Sequence, residues 1–206
     1  MDELQIRNLV LSKLGEEEQL DDPAADTRAN RAISANWSGV RDQVLRMHLW
    51  NFAIDPAGTE LVPDGAFTPS ALADYRYRYA LPADFIRLDM ERLRPRRVRH
   101  DMRLGGGFLY SNDGGAILLV YVRQEERVGL WDDLFAEVFA CHMAGQIGRR
   151  IVGQDFDRAA MVSQMRLALA NAKAVDGREN GADDFVEPEW ITARFVGGGG
   201  RISGGW

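Results

Sequence analysis

The sequence predicts an α+β fold that is mainly α: a four-helix bundle interrupted by a small antiparallel β subdomain and followed by an extended C-terminal arm. Three observations carry that reading. Apolar residues recur every three or four positions over residues 2–48 and again over 132–172, the period of helices with one buried face. Between them, Tyr75, Tyr77 and Tyr79 alternate with Arg76 and Arg78, and 116–122 is an unbroken apolar run, both signatures of strands. Beyond Val175 the composition turns acidic and glycine-rich and can form no core of its own. The predicted organisation is therefore a helical bundle over 1–56 and 124–175, a β insert over 57–123 and an arm over 176–206.

The first helix is expected over 2–14, with Ile6, Leu9, Val10, Lys13 and Leu14 at helical spacing and Gly15 as its stop. Asp22-Pro23 reads as the start of a second, with Asp22 as cap, Pro23 at the first helical position and Asp26 in the first turn. Its stripe, Ala29, Ile33, Asn36 or Trp37, Val40, Val44 and Met47 or His48, implies a helix of roughly 26 residues, long for a globular chain. Asp42 and Arg46 stand one turn apart on its outer side. The helix runs into Trp50 and Phe52, expected to seat its end on the β insert, before Pro56-Ala57-Gly58 breaks the pattern.

In the insert, Leu81-Pro82-Ala83-Asp84 is a turn that launches a strand from Phe85 to Leu93. Residues 103–122 read as a hairpin whose turn is Ser111-Asn112-Asp113-Gly114-Gly115, with 116–122 as the strongest strand. Gly105-Gly106-Gly107 reads as a bulge or a strand start. Helix returns at Asp132. Leu134, Phe135, Val138, Phe139, His142, Ile147 and Ile151 cover more than one face, so this helix is expected to be the most buried, and Gly145 and Gly148 suggest that another helix crosses closely there. Asp155 is the expected cap of a fourth helix of about twenty residues, with Ala159, Met161, Met165, Ala168, Leu169 and Ala172 facing inward.

The net charge of −6 is unevenly spread. Residues 1–22 hold seven acids against Arg7 and Lys13, and residues 176–190 hold six against Arg178, whereas 76–103 contain nine arginines and four acids. Such segregation implies surfaces that meet charged neighbours. Only Lys13 and Lys173 are lysines, and arginine suits interface ion pairs because its planar fork binds carboxylates in bidentate fashion.

Chemistry is largely absent from the sequence. No apolar run approaches the ~20 residues of a membrane helix, and the acidic start Met1-Asp2-Glu3-Leu4 is not that of a signal peptide. The single cysteine, Cys141, excludes an internal disulfide and fits a reducing compartment at synthesis. His48, His100 and His142 have no ligand spacing to a cysteine or carboxylate, so no metal and no cofactor is expected. Cys141 and His142 are adjacent on a helix and point about 100° apart, which rejects a dyad. Gly105-Gly106-Gly107 has no following Lys-Ser/Thr and does not open a helix, so it is no phosphate loop. Asp132-Asp133 sits where a helix start wants acids, and no Gly-x-Ser-x-Gly elbow exists. The basic run from Glu91 to His100 could meet DNA phosphates but carries no interleaved aromatics for base stacking.

The string Arg41-Asp42-Gln43-Val44-Leu45-Arg46-Met47-His48-Leu49-Trp50-Asn51-Phe52-Ala53 resembles the corresponding string of phage head-to-tail adaptors of the tail tubular protein A type. The turn Leu81-Pro82-Ala83-Asp84, the apolar strand 118–121, the aspartate-led helix from Asp132 to Phe139 and Glu189-Trp190-Ile191-Thr192-Ala193-Arg194 match that pattern in the same order. Two departures stand out: Leu49 replaces a frequent proline, and the glycine-rich ending after Phe195 has no counterpart. The resemblance implies a structural subunit without catalysis that forms a dodecameric ring beneath the portal protein at the head–tail junction of a virion. It also implies a terminal arm extended onto the portal, a platform for the tail nozzle or tail fibre proteins, and a channel through which DNA passes without sequence-specific contact. Candidate interface residues are Trp190, Arg194, Phe195 and Trp206 of the arm and Arg94, Arg96, Arg97 and Arg99 of the basic run. The competing readings are a stopper or tail completion protein of a phage neck and a cell-wall hydrolase.

Overall fold

The computed structural model describes residues 1–17, 19–89 and 102–179. α1 (Glu3–Leu14) begins at a full capping box: Asp2 Oδ1 accepts from the Gln5 amide, and the Gln5 side chain accepts from the Asp2 amide. Gly15, at φ +79°, closes the helix in the left-handed conformation that glycine tolerates best. Ile6, Val10, Leu11 and Leu14 are buried, as the spacing predicts.

α2 (Arg28–Met47) is shorter than expected, because Asp22 is not its cap. Asp22 accepts from the Ala24 amide and closes a local turn. Thr27 caps the helix by accepting from the Asn30 amide. Buried Asn30 then donates to the carbonyls of Pro23 and Ala25, which holds the preceding loop against the helix. Asp26 lies outside the helix and pairs with Arg31. Asp42 turns to Arg41 and Gln124 rather than to Arg46.

α3 (Asp133–Ile151), capped by Asp132, carries the largest set of buried residues of the described helices, from Phe135 to Gly148. α1, α2 and α4 (Arg158–Glu179) each pack on it. Gly148 is required by a close approach: a β-carbon there would lie 2.3 Å from the Phe156 ring, in the loop that turns the chain from α3 into α4. The crossing at Gly145 is looser, with Met161 at 3.6 Å. α4 starts later than predicted, because Asp157 rather than Asp155 accepts from the Ala160 amide. Met161 and Ala172 are buried, but Ala159 is exposed, and Leu167 remains 65% exposed on the outer face.

The β strands among the described residues are β1 (Thr59–Leu61), β2 (Tyr77–Ala80), β3 (Phe85–Leu88), β4 (Met102–Gly105), β5 (Phe108–Ser111), β6 (Ile117–Leu119) and β7 (Tyr121–Arg123). All pair antiparallel, in three small sheets ordered β1–β6, β2–β5–β4 and β3–β7. The expected hairpin turn at 111–115 is misplaced. The tight turn is Gly106-Gly107 between β4 and β5, where φ values of +58° and +81° need glycine. Ser111 ends β5, and residues 112–115 are a loop held by the Tyr79 hydroxyl, which lies 2.5 and 2.8 Å from the carbonyls of Asp113 and Gly115.

The apolar run 116–122 is two strands instead of one, because it serves two cores. Ile117 and Leu119 enter a small β core with Leu61, Tyr79, Leu88 and Leu109. Val120 and Val122 enter the main core with α1, α2 and α3. Buried positions shift parity between Leu119 and Val120, which a single period-2 strand cannot accommodate. The chain therefore changes partner there, from β1 to β3, and Val120 accepts from the Asp89 amide at the break.

Trp50 is 1% exposed, but its partners differ from those expected. Its ring meets Phe135 of α3 edge-on at 5.0 Å, and its indole N–H donates to the Val44 carbonyl at 2.9 Å. It thus folds the end of α2 back onto α3. Trp50→Ala is expected to cost about 3–5 kcal/mol, the range for large aromatic truncations in cores. Trp50→Phe should cost less, losing chiefly the indole donor. Denaturant unfolding checks both. Gly148→Ala should destabilise by about 1–3 kcal/mol through overpacking on Phe156. The penalty should shrink in a Phe156→Ala background, as a double-mutant cycle would report.

Candidate functional site

Arg94, Arg96, Arg97 and Arg99 lie between β3 and β4, and Trp190, Arg194, Phe195 and Trp206 lie beyond α4; all eight fall outside the described residues. The described residues supply the places from which those segments depart, and one of these is a dense polar and aromatic junction.

The junction is built from the 41–53 string. Arg41, buried near the end of α2, bonds Asp42 at 2.8 Å and reaches Glu126 at 3.3 Å. The Gln124 amide donates to both Asp42 oxygens. Arg87 of β3 donates to the Arg46 carbonyl, which satisfies an acceptor that the helix end leaves open. His48 follows as the C-cap, its ring edge-on to Trp50 at 5.1 Å and its Nε2 2.6 Å from Asp176 of α4. Burial holds the Asp176 carboxyl above the usual carboxylate range, against the hydrogen bond from His48. The last turns of α4, from which residues 180–206 continue, are thus fixed to the end of α2. Sequence reasoning missed Asp176, an acid on an otherwise apolar stripe one turn beyond Ala172.

A second cluster lies across the β2–β5–β4 sheet. Arg78, Tyr110 and Arg103 stand opposite one another on its three strands. The Arg78 guanidinium sits over the rings of Phe67 and Phe108, at 4.8 and 4.2 Å, and is paired with Asp64, whose carboxyl it holds below the usual range. Phe67 and Tyr75, from the loop before β2, close on Tyr110 at 6.0 and 6.3 Å. Between that loop and the sheet is a cleft of about 230 Å³ lined by Phe67, Ala73, Asp74, Tyr75, Arg103 and Tyr110. The tyrosine alternation located β2, but nothing in the spacing pointed to Phe67 or to the cleft.

The reactive side chains have other partners. Cys141 is buried, its thiol pushed up by burial, with Sγ 3.9 Å from Glu137, which pairs with Lys13. His142, half-buried rather than in the core, bonds Gln43 at 2.8 Å, so the two neighbours face different groups. Among the described residues no three His, Cys, Asp or Glu side chains are grouped to hold a metal ion, and no helix is long and apolar enough to cross a membrane.

Burial lowers the affinity of His142 for a proton below that of an ordinary histidine. The unfolded chain then binds the proton more readily than the folded one. The His142 contribution to stability is present above about pH 6.5 and is lost as pH falls below it. Urea unfolding at pH 7.5 and 5.5 should show a smaller loss on acidification in His142→Gln than in the unsubstituted chain. Compared with known protein families the chain matches none, and it matches no curated protein.

Proposed function

We propose that this chain is a structural head-to-tail adaptor. In this reading, copies assemble as a ring beneath a phage portal protein, extend the DNA channel and carry the tail nozzle or fibres. The observation that carries it is the position of the 41–53 string, the part of the sequence that most resembles such adaptors. Its residues meet α3 through Trp50 and Phe52, β3 through the Arg46 carbonyl and the end of α4 through His48. A string so used is a scaffold, fixing the helical body, the β insert and the root of the C-terminal segment relative to one another. Its polar side chains are engaged by neighbouring elements, Asp42 by Gln124, Gln43 by His142 and His48 by Asp176, which suits a subunit that works by docking rather than by catalysis. We further read the four helices as one bundle arranged around α3, with the C-terminal arm supplying Trp190 and Trp206 as portal anchors. The arginines at 94, 96, 97 and 99 would face an acidic neighbour or the DNA in the channel.

Native mass spectrometry of the protein with and without its cognate portal tests this reading. Addition of this chain in the subunit number of the portal is expected; a monomer beside an intact portal ring would favour a stopper or tail completion role. Truncation after Asp184 should leave the far-ultraviolet circular dichroism of the helices unchanged and abolish portal addition.

A further inference from the structure

β4 is the outer strand of the β2–β5–β4 sheet, and among the described residues no strand pairs with its other edge. An outer strand presents a row of N–H and C=O groups that an extended segment can pair with by adding a further strand. The side chains of β4 suit such an addition on both faces. Leu104 is 43% exposed although Leu109, opposite it on β5, is fully buried, so apolar area is left uncovered at this edge. On the other face, exposed Arg103 forms one wall of the aromatic cleft with Tyr110, Tyr75 and Phe67. That cleft is comparable in size with one large ring-bearing side chain.

We infer that the outer edge of β4, unpaired among the described residues, and its aromatic cleft receive residues 189–195 of the same chain as an added strand. The sequence Glu189-Trp190-Ile191-Thr192-Ala193-Arg194-Phe195 is rich in the β-branched and aromatic residues that pleated edges favour. Period 2 puts Trp190 and Ile191 on opposite faces, which matches a cleft on one face of β4 and uncovered Leu104 on the other. Charge agrees: residues 180–190 hold Asp183, Asp184, Glu187 and Glu189 with no basic residue, and the receiving strand β4 offers exposed Arg103. Pro188, which donates no hydrogen bond, stands just before the added strand, where it disrupts no pairing. From Glu179 to Trp190 an extended chain spans up to about 36 Å, enough to cross most of a domain whose radius of gyration is roughly 17 Å. A tethered segment acts at an effective concentration on the order of millimolar, which favours the chain's own copy over another's. A partner that binds Trp190 then competes with β4 for it.

The test is photo-crosslinking in the full-length protein with p-benzoylphenylalanine in place of Trp190, followed by mapping of the linked peptides. Links to residues 67–75 or 102–110 are expected. Their yield should fall at least fivefold in Arg103→Glu and recover in Arg103→Glu combined with Glu189→Arg. Links that map to the helices, or a yield unaffected by Arg103→Glu, would overturn the inference. A 1:1 mixture of ¹⁵N-labelled and unlabelled protein separates the copies: links within one isotope are expected, and mixed-isotope links would exclude the chain's own segment as the occupant. Portal addition in native mass spectrometry is a separate readout, so either conclusion can fail without the other.

Discussion

The structure depends on one aromatic contact surface. Phe135 and Phe139 of α3 are enclosed by Trp131 at 4.9 and 5.1 Å, by Trp50 and Phe52 at 5.0 Å each, and by Trp37 of α2 at 4.8 Å. Large aromatic side chains bury more apolar area than any others, so this cluster supplies a major share of the hydrophobic stabilisation. It is also directional. A buried indole needs a partner for its N–H, and leaving one unsatisfied costs about 1–3 kcal/mol. Trp50 donates to Val44 and Trp131 to Glu125, each a carbonyl in the chain segment just before it. Each ring is therefore fixed in orientation as well as in depth, and the chain path on either side of the β insert is fixed with it.

Other features follow from that anchoring. Because α3 takes contacts on several faces, its polar neighbours are forced into partnership. Arg7 of α1 is buried over the Trp37 ring at 4.9 Å, so it must satisfy its donors with Glu3, Asn30 and Ser34. Glu125 is buried beside Trp131 and is held below the usual carboxylate range by Arg127, with Arg123 also paired to it. Such pairs add little net stability, because desolvation offsets most of the attraction. Their effect is to determine which segments can be neighbours. The parity shift between Leu119 and Val120 belongs to the same constraint: once the insert must share one core with α3 and keep another of its own, the strand between them has to change sides.

Much of this was legible in the sequence where one local rule decides the outcome. The Asp2 and Asp132 helix starts, the Gly15 stop, the burial of α3 and the β character of the middle third all follow from caps and periodicity. The failures occurred where two local signals competed. Asp22-Pro23 has the form of a helix start, but Asn30, five residues beyond Ala25, claims the loop carbonyls and moves the cap to Thr27. Asp155 and Asp157 are equivalent by composition, and Asp157 is the one that caps the helix, just after Phe156 has packed against Gly148. The strand run 116–122 was legible as apolar but not as divided, because two cores of one chain have no signature in a single period. The Asp176–His48 contact and the Phe67–Tyr110 cleft join residues far apart in sequence, beyond any spacing argument.

The division of labour along the chain has a physical origin. A rigid scaffold has to satisfy its own polar groups, and Arg7, Arg41, Arg78 and Arg127 each pair with a carboxylate within a few ångströms. Charge used in this way is not available to a partner. The surplus that gives the chain its polarity, arginine over 92–99 and acid over 183–189, lies in two segments outside the described residues. Both are attached to structure at firm points, β3 against α2 on one side and the His48-fixed end of α4 on the other. Recognition placed on such segments gains its specificity from where they are rooted. In the adaptor reading proposed above, a substitution at His48 or Arg87 alters portal docking by shifting the root of a segment and not by removing a contact.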